Sequence, residues 1–406
     1  GFRNRLGRGP IGRPSSWPRS GQGAKGPSLV RRWFCTVQEW DSGVVVVDDR
    51  FKRWQNDGML RVVQSTRQAQ ARSYYTSSDY YSEGQERAGH WGGKAASMLG
   101  LSGEVKQEDW EALCDNRDPV TGDRLTQRQK KNRTPGYDFN FHVCKSLSLL
   151  FAETGDERLL AAIQGATDET MHVIETEMAT RVRQAGRQEN RITGNMAYGS
   201  FLHLTARPMA GVPDPHCHVH VFVHNVTFDP VEQRWKAGQF RGLKERAPYF
   251  EAFFQSRLAR RLEELGLPIN RTSKSWELAG VDQTFREKFS RRTSHIEQQA
   301  EARGITDPAA KSELGARTRE RKQKELTFRE LQALWRQRMS SNERQVLAKL
   351  GAKLDGNDSS GNFANRRKIV PPSDDDFITD TIRRHAFFAA RALANGRHVS
   401  LSRGHS

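Results

Sequence analysis

One stretch of this 406-residue chain has residue types and spacing suited to chemistry: Asp214-Pro215-His216-Cys217-His218-Val219-His220-Val221-Phe222-Val223-His224-Asn225. Side chains on a strand alternate between its two faces. His216, His218 and His220 would then share one face, and Val219, Val221 and Val223 the other. Such a strand is backed by a core and carries a chemical front. Neutral imidazoles at i and i+2 can converge on one metal ion. A third ligand must come from elsewhere, and His203, near the end of the preceding strand segment, is the best placed. Three protein ligands leave open positions on the ion, which a catalytic site needs. A lone histidine on a strand is usually a satisfied core or surface residue. Three on one face, with a fourth on the neighbouring strand, shift the balance to metal. His-x-His-x-His offers two overlapping pairs, so spacing alone leaves His216 ambiguous. Cys217 should be buried on the apolar side, and His224 should be structural.

A second constellation is Tyr74-Tyr75 with Tyr80-Tyr81, four of the seven tyrosines in the chain. A tyrosine can attack a phosphodiester and form a phosphotyrosine, which conserves the bond energy for rejoining. With a pKa of about 10, roughly one phenol in a thousand is ionised at neutral pH, a penalty of about 4 kcal/mol. A nearby metal and base can offset that, and the metal would also polarise the phosphate. Taken alone, paired tyrosines more often stack on bases or pack on a sheet. Beside a histidine metal strand, the nucleophile reading gains.

The surrounding elements must position these groups. Met59 to Gln64 reads as a strand, Glu108 to Cys114 as a short helix and Tyr137 to Val143 as an alternating strand. Ser146 to Gly186 carries helical spacing, broken near Gly155. Arg191 to Thr205 and Cys217 to Phe228 are strand candidates, linked by the turn-rich stretch from Pro208 to Pro215. Trp235 to Phe240 and Ser275 to Leu278 are weaker strand candidates. Leu243 to Leu265, Asp282 to Arg303 and Glu313 to Gly351 read as helical, with one further helix expected from Asp380 to Asn395. The order predicts an α+β fold: an antiparallel sheet palm with helices on one face and other helices covering it. Residues 1–58, rich in Gly, Arg, Pro and Ser up to Leu29, are expected to be a disordered basic extension from an upstream start codon; 59–351 to be the catalytic domain; and 352–406 to be a tail. The net charge of +17 favours a polyanionic partner, nucleic acid first. The four cysteines form no CxxC pair, which fits a reducing compartment. No apolar run is long enough to span a bilayer, and no secretory h-region is present. Gly92-Gly93-Lys94-Ala95 lacks the spacing and hydroxyl of a P-loop, which argues against an ATP-driven motor.

Several ordered motifs resemble the relaxase domain of TrwC-type (MOB-F) conjugative relaxases, in the HUH endonuclease superfamily. They are Trp91-Gly92-Gly93-Lys94-Ala95-Ala96 with Leu99-Gly100-Leu101-Ser102-Gly103; Pro135-Gly136-Tyr137-Asp138-Phe139-Asn140-Phe141 with Lys145-Ser146; Thr193-Gly194-Asn195; Phe201-Leu202-His203-Leu204-Thr205-Ala206-Arg207; and Asp214-Pro215 through His218, His220 and Asn225. The resemblance runs from Met59 to about Gly351. It places an asparagine at Asn225, which implies that His218 and His220 are the ligand pair with His203 as third, leaving His216 outside. It implies Tyr74 as the initiating nucleophile, with Tyr75 beside it, and Tyr80 or Tyr81 as the second. Asp138 matches the family's acidic residue, which orients a metal histidine or accepts the tyrosine proton. Arg207, Lys145 and Lys94 are implied as DNA contacts. The chain departs from the family where His142-Val143-Cys144 stands for Ser-x-Pro, so a different loop is expected there. The spacing between its tyrosine pairs is also shorter.

The resemblance implies a site- and strand-specific single-stranded DNA transesterase, nicking a transfer origin through a 5′-phosphotyrosine. Its cofactor would be a divalent metal ion, Mg²⁺ or Mn²⁺, with Zn²⁺ as the alternative. Its partners would be single-stranded or hairpin DNA at a transfer origin, accessory DNA-binding proteins and a type IV secretion coupling protein, in the bacterial cytoplasm. Rival readings are a rolling-circle replication initiator or transposase with the same chemistry, and a DNA-binding module that has lost catalysis. A metal-dependent cleavage test separates the last from an enzyme.

Overall fold

The computed structural model describes residues 59–356, apart from 67, 69–70, 73–87, 128–132, 185, 273–274, 319 and 321–325. The expected extension over 1–58, the tail from 357 onward with its helix at 380–395, and all four paired tyrosines lie outside the described residues.

Five strands form one sheet in the order β1-β3-β7-β6-β2: β1 (Leu60–Ser65), β3 (Gly136–His142), β7 (Pro215–His224), β6 (Tyr198–Thr205) and β2 (His90–Gly92). Every pairing is antiparallel. The α+β palm is therefore present, and β7 lies at its centre. Its alternation decides what each face holds. Val219, Val221 and Val223 are fully buried in the larger core with Phe139, Phe141, Leu202 and Leu204. Burying each such side chain contributes roughly 1.5–3 kcal/mol. This apolar face is covered by α3 (Lys145–Thr154), α4 (Glu157–Thr176) and α6 (Ala247–Glu264). The opposite face carries His216, His218 and His220, followed by a second, smaller core around Phe201 and Phe222. Two short helices, α1 (Lys94–Met98) and α2 (Gln107–Cys114), supply much of that cluster.

Several sequence expectations shift. The helical stretch expected to Gly186 ends at Thr176, and β4 (Ala179–Gln184) with β5 (Arg187–Ile192) forms a separate hairpin. It turns at Gly186, whose φ of 80° suits only glycine. The first five residues of β5 are polar and the strand is mostly exposed, so no hydrophobic period marks it. The strand expected from Arg191 breaks at Thr193-Gly194-Asn195, where the Asn195 amide donates to the Phe228 carbonyl. The strand expected to reach Phe228 stops at His224, and β8 (Thr227–Asp229) pairs with β9 (Arg234–Lys236) outside the main sheet. Helix α5 (Arg241–Glu245) precedes α6, and a two-stranded ribbon of β10 (Ile269–Arg271) and β11 (Trp276–Leu278) follows it. The helix expected over 282–303 divides into α7 (Gln283–Lys288) and α8 (Arg291–Ala302). The charged stretch beyond divides into α9 (Pro308–Arg317), α10 (Phe328–Arg338) and α11 (Ser341–Asp355). Capping boxes at Thr327/Glu330 and Ser340/Glu343 start the last two. Among the described residues, no helix is long and apolar enough to cross a membrane.

Candidate active site

The register of three adjacent strands builds the histidine cluster. His203 on β6 and His142 on β3 both stand directly opposite His218 on β7, while Phe201 and Asn140 flank His220. A β-bulge follows His203, between it and Thr205. The ligand nitrogens of His203, His218 and His220 lie within 4.8 Å of one another. Their ring centroids are 4.7 to 5.0 Å apart. His203 and His218 are buried, and His220 is half-buried at the opening of the group.

Hydrogen bonds on the far side of two rings set their tautomers. His218 Nδ1 donates to the His216 carbonyl at 2.9 Å. His220 Nδ1 lies 3.0 and 3.2 Å from the two carboxylate oxygens of Asp138. Both arrangements place the proton on Nδ1 and leave the Nε2 lone pair for an ion. The Nε2 of His203 is itself buried in the cluster. Three imidazole nitrogens at chelating distance, two of them oriented by acceptors behind them, fit a divalent transition-type ion. Of the two roles expected for Asp138, the contact with His220 Nδ1 is the one that orienting a metal histidine would use.

His142 and His216 form a second pair on the same face. His142 Nδ1 and His216 Nε2 are 3.1 Å apart, and both rings stack against His218. Withdrawal from water pushes His142 down to about 3 and His216 well below its ordinary value, with nearby cations adding to the effect. Both rings are therefore neutral, and one donates to the other. The expected difference at His142-Val143-Cys144 is this: the strand runs to His142, and Cys144 caps α3 directly. The sequence reading missed this pair. The signal was available, because His142 shares parity with Asp138 and Asn140 on β3.

The remaining expected residues are dispersed. The Lys145 ammonium donates to the Pro215 carbonyl at 2.9 Å, and burial lowers it to about 8. Lys94 begins α1 with an exposed side chain, its amide held by Glu175. Arg207 is half-buried just beyond β6. Cys217 is fully buried. His224 is also fully buried, in a box of Trp91, Trp110 and Phe222. Asn225 bridges the Thr134 carbonyl and the Gly238 amide.

The family model described as TrwC relaxase matches residues 68–342, more than half of the chain. This chain belongs to the TrwC relaxase family. A curated relative, the multifunctional conjugation protein TraI of Escherichia coli, is 33% identical over 239 residues, 56% of this chain. The chain spans 13% of the length of that relative. The conjugative relaxase TrwC in complex with OriT DNA, in a metal-bound structure, is 28% identical with a TM-score of 0.60. That match covers 72% of this chain and 98% of the other. TrwC complexed with a 27-mer DNA comprising the recognition hairpin and the cleavage site matches at 26% identity and a TM-score of 0.59, with 72% and 98% covered. The antiparallel palm is thus the TrwC relaxase fold, and a divalent metal centre is in keeping with its histidine triad.

Proposed function

We propose that this chain is a metal-dependent single-stranded DNA transesterase that nicks a transfer origin. The observation that carries the reading is the convergence of His203, His218 and His220 within 4.8 Å on one face of a relaxase palm. Tyr74 is the initiating nucleophile, with Tyr75 as its neighbour and Tyr80 or Tyr81 as the second nucleophile. The tyrosine oxygen forms a bond to phosphorus as the bond from phosphorus to the 3′ oxygen breaks. The products are a 5′-phosphotyrosine and a free 3′-hydroxyl, which takes up a proton. His203, His218 and His220 hold the ion. When bound, the ion polarises the scissile phosphate and offsets the charge that builds on its oxygens. Asp138 keeps the His220 ring turned toward the site. The ion is Mg²⁺ or Mn²⁺, with Zn²⁺ as the alternative that a three-imidazole set also accepts.

DNA binding draws on the basic surface. Arg207, Lys94 and Lys145 are the phosphate contacts suggested by resemblance. The exposed β4–β5 hairpin adds Arg181, Arg183 and Arg187. A two-stranded ribbon fits the major groove of a duplex, about 12 Å wide, so this hairpin suits the stem of a folded origin. Binding that rests on such contacts weakens steeply with salt. Accessory DNA-binding proteins and a secretion coupling protein are the further partners, and the bacterial cytoplasm is the site of action.

A covalent-adduct assay tests the proposal. The chain is mixed with a random single-stranded DNA pool and Mg²⁺, Mn²⁺ or Zn²⁺, and shifted protein is resolved on denaturing gels. We expect a metal-dependent adduct that is lost in Tyr74→Phe and in His218→Ala. Sequencing the attached DNA gives the nick site. DNA binding and metal binding with no adduct would refute the transesterase and favour a binding module.

A further inference from the structure

The three histidines of the triad lie on β6 and β7, and the link between those strands, residues 206–214, is gripped by helices from much later in the chain. The ladder alone does not fix this end. His203 stands opposite His218 and Thr205 opposite Pro215, so two steps along β6 face three along β7. A bulge of this kind interrupts the ladder and bends the strand. Beyond it the Ala206 amide donates to the Asp214 carbonyl at 2.9 Å. The Asp214 side chain is buried and meets two cations. Arg291, the first residue of α8, donates its amide to Oδ2 and its Nε to Oδ1, both at 3.0 Å. Its Nη1 and Nη2 go on to the Met209 and Val212 carbonyls, at 3.4 and 2.7 Å. Arg338, the last residue of α10, donates Nη1 to Asp214 Oδ1 at 2.6 Å, and its guanidinium lies over the Phe289 ring. Trp335, fully buried on α10, donates its indole nitrogen to the Pro213 carbonyl at 2.8 Å. Taking three charges out of water is a poor way to gain stability. What it fixes well is position, because each planar guanidinium fork holds its acceptors in one geometry.

We infer that Asp214 is a positioning residue for the metal centre: Arg291 and Arg338 hold it, and through it the start of β7, so that His203 and His218 meet across the bulge. The inference rests on the reading of the triad as the metal site. Asp214 precedes His218 by four residues, and Ala206 follows His203 by three, so the anchored pair closes the ladder a short step from two ligands. Between them His216 offers the carbonyl that accepts His218 Nδ1. A shift in the first residues of β7 would therefore turn the His218 ring as well as part it from His203. Asp214 acts through the backbone of Pro215 and His216, and α8 and α10 become part of the apparatus that sets metal affinity.

Calorimetric titration of the full chain with Mn²⁺ and Zn²⁺ tests this. Asp214→Asn should weaken metal binding about tenfold, the lower end of what a residue behind a metal ligand costs. Arg291→Ala and Arg338→Ala should each weaken it too, and adding either to Asp214→Asn should cost little more, as expected within one network. Arg338→Lys keeps the charge and should recover most of the affinity lost in Arg338→Ala. Asp229→Asn controls for lost stability. That carboxylate is fully buried and paired with Arg191 and Lys236, on a hairpin outside the main sheet. Both aspartate substitutions should lower the thermal midpoint, and only Asp214→Asn should lower metal affinity. If Asp214→Asn fails to fold, Arg338→Ala breaks the same clamp from a side chain that is a quarter exposed. A parent whose binding is lost in His203→Ala, with Asp214→Asn or Arg338→Ala titrating like the parent, overturns the positioning role and leaves the metal site standing. An equal loss of affinity in Asp229→Asn also overturns it. A parent that takes up neither ion, or a His203→Ala variant that titrates like the parent, overturns the metal-site reading and the inference with it.

Discussion

Asp138→Ala should weaken metal binding at the triad by about 10- to 100-fold while the sheet stays folded. The carboxylate lies 3.0 and 3.2 Å from His220 Nδ1, with only 15% of its side chain and 20% of the histidine's exposed. A hydrogen bond to a charged group in such surroundings contributes about 1.5–3 kcal/mol. Each 1.4 kcal/mol is about tenfold in affinity, so losing this bond gives the range stated. The loss has a structural cause: without the acceptor, the His220 proton can move to Nε2, and the ring can turn away. Asp138→Asn keeps a neutral acceptor and should cost about tenfold or less. Calorimetric titration with Mn²⁺ and Zn²⁺ at pH 7 measures both, beside His203→Ala, which removes a ligand outright. An Asp138→Ala variant with the parent's metal affinity would refute the orienting role. If Asp138→Asn then slowed adduct formation with unchanged metal affinity, the carboxylate would instead be the acceptor of the tyrosine proton.

Two further perturbations probe the frame around the site. Burial holds His224 at about 3 in the fold, against about 6.5 in an unfolded chain. The unfolded chain therefore binds the extra proton between those values. Stability is fully present above pH 6.5 and is lost as pH falls toward 3, by about 1.4 kcal/mol per unit. His224→Phe fills the same aromatic box without titrating, so urea unfolding between pH 7 and 5 should show a shallower slope; equal slopes would refute the account. Gly93 has a φ of 91°, and an added Cβ would stand 2.2 Å from the Met196 carbonyl that accepts the Ala95 and Ala96 amides. Gly93→Ala should cost at least about 2 kcal/mol, whereas Gly122→Ala, with φ of 74° and nothing within 4 Å, should cost only its backbone strain. Thermal unfolding of the two compares them directly.

What could be read from the sequence follows from how local each signal is. β7 announces itself because His216, His218 and His220 alternate with apolar residues, so its two faces were legible, whereas the choice of His218 and His220 as the pair came from the resemblance at Asn225. His203 was legible as a neighbour because the strand before a tight link usually pairs with the next. The β4–β5 hairpin was not. Arg187, Gln188, Glu189 and Asn190 are all polar, and a strand exposed on both faces has no period to detect. The break between α7 and α8 falls at Phe289 and Ser290, where Phe289 is buried and the helical pattern runs through without a Pro or Gly stop. The partners of Asp214 were invisible for another reason. Arg291 and Arg338 lie more than seventy residues away, and nothing in a lone aspartate before a strand says what it will meet.

The hydrophobic effect sets the geometry of the chemical site. A one-residue slip of β7 against β3 and β6 would turn Val219 and Val221 to the open face and bury His218 and His220 among leucines and phenylalanines. Each imidazole buried without a partner would cost several kcal/mol, and the valine burial would be lost as well. The register that satisfies the larger core is therefore also the one that brings His203 opposite His218 and sets Asp138 diagonal to His220. The apolar side of the same strands thus chooses the alignment that brings the three imidazoles onto one face. Substitutions of Val219 or Val221 should thus disturb metal affinity from the far side of the sheet, without touching a ligand.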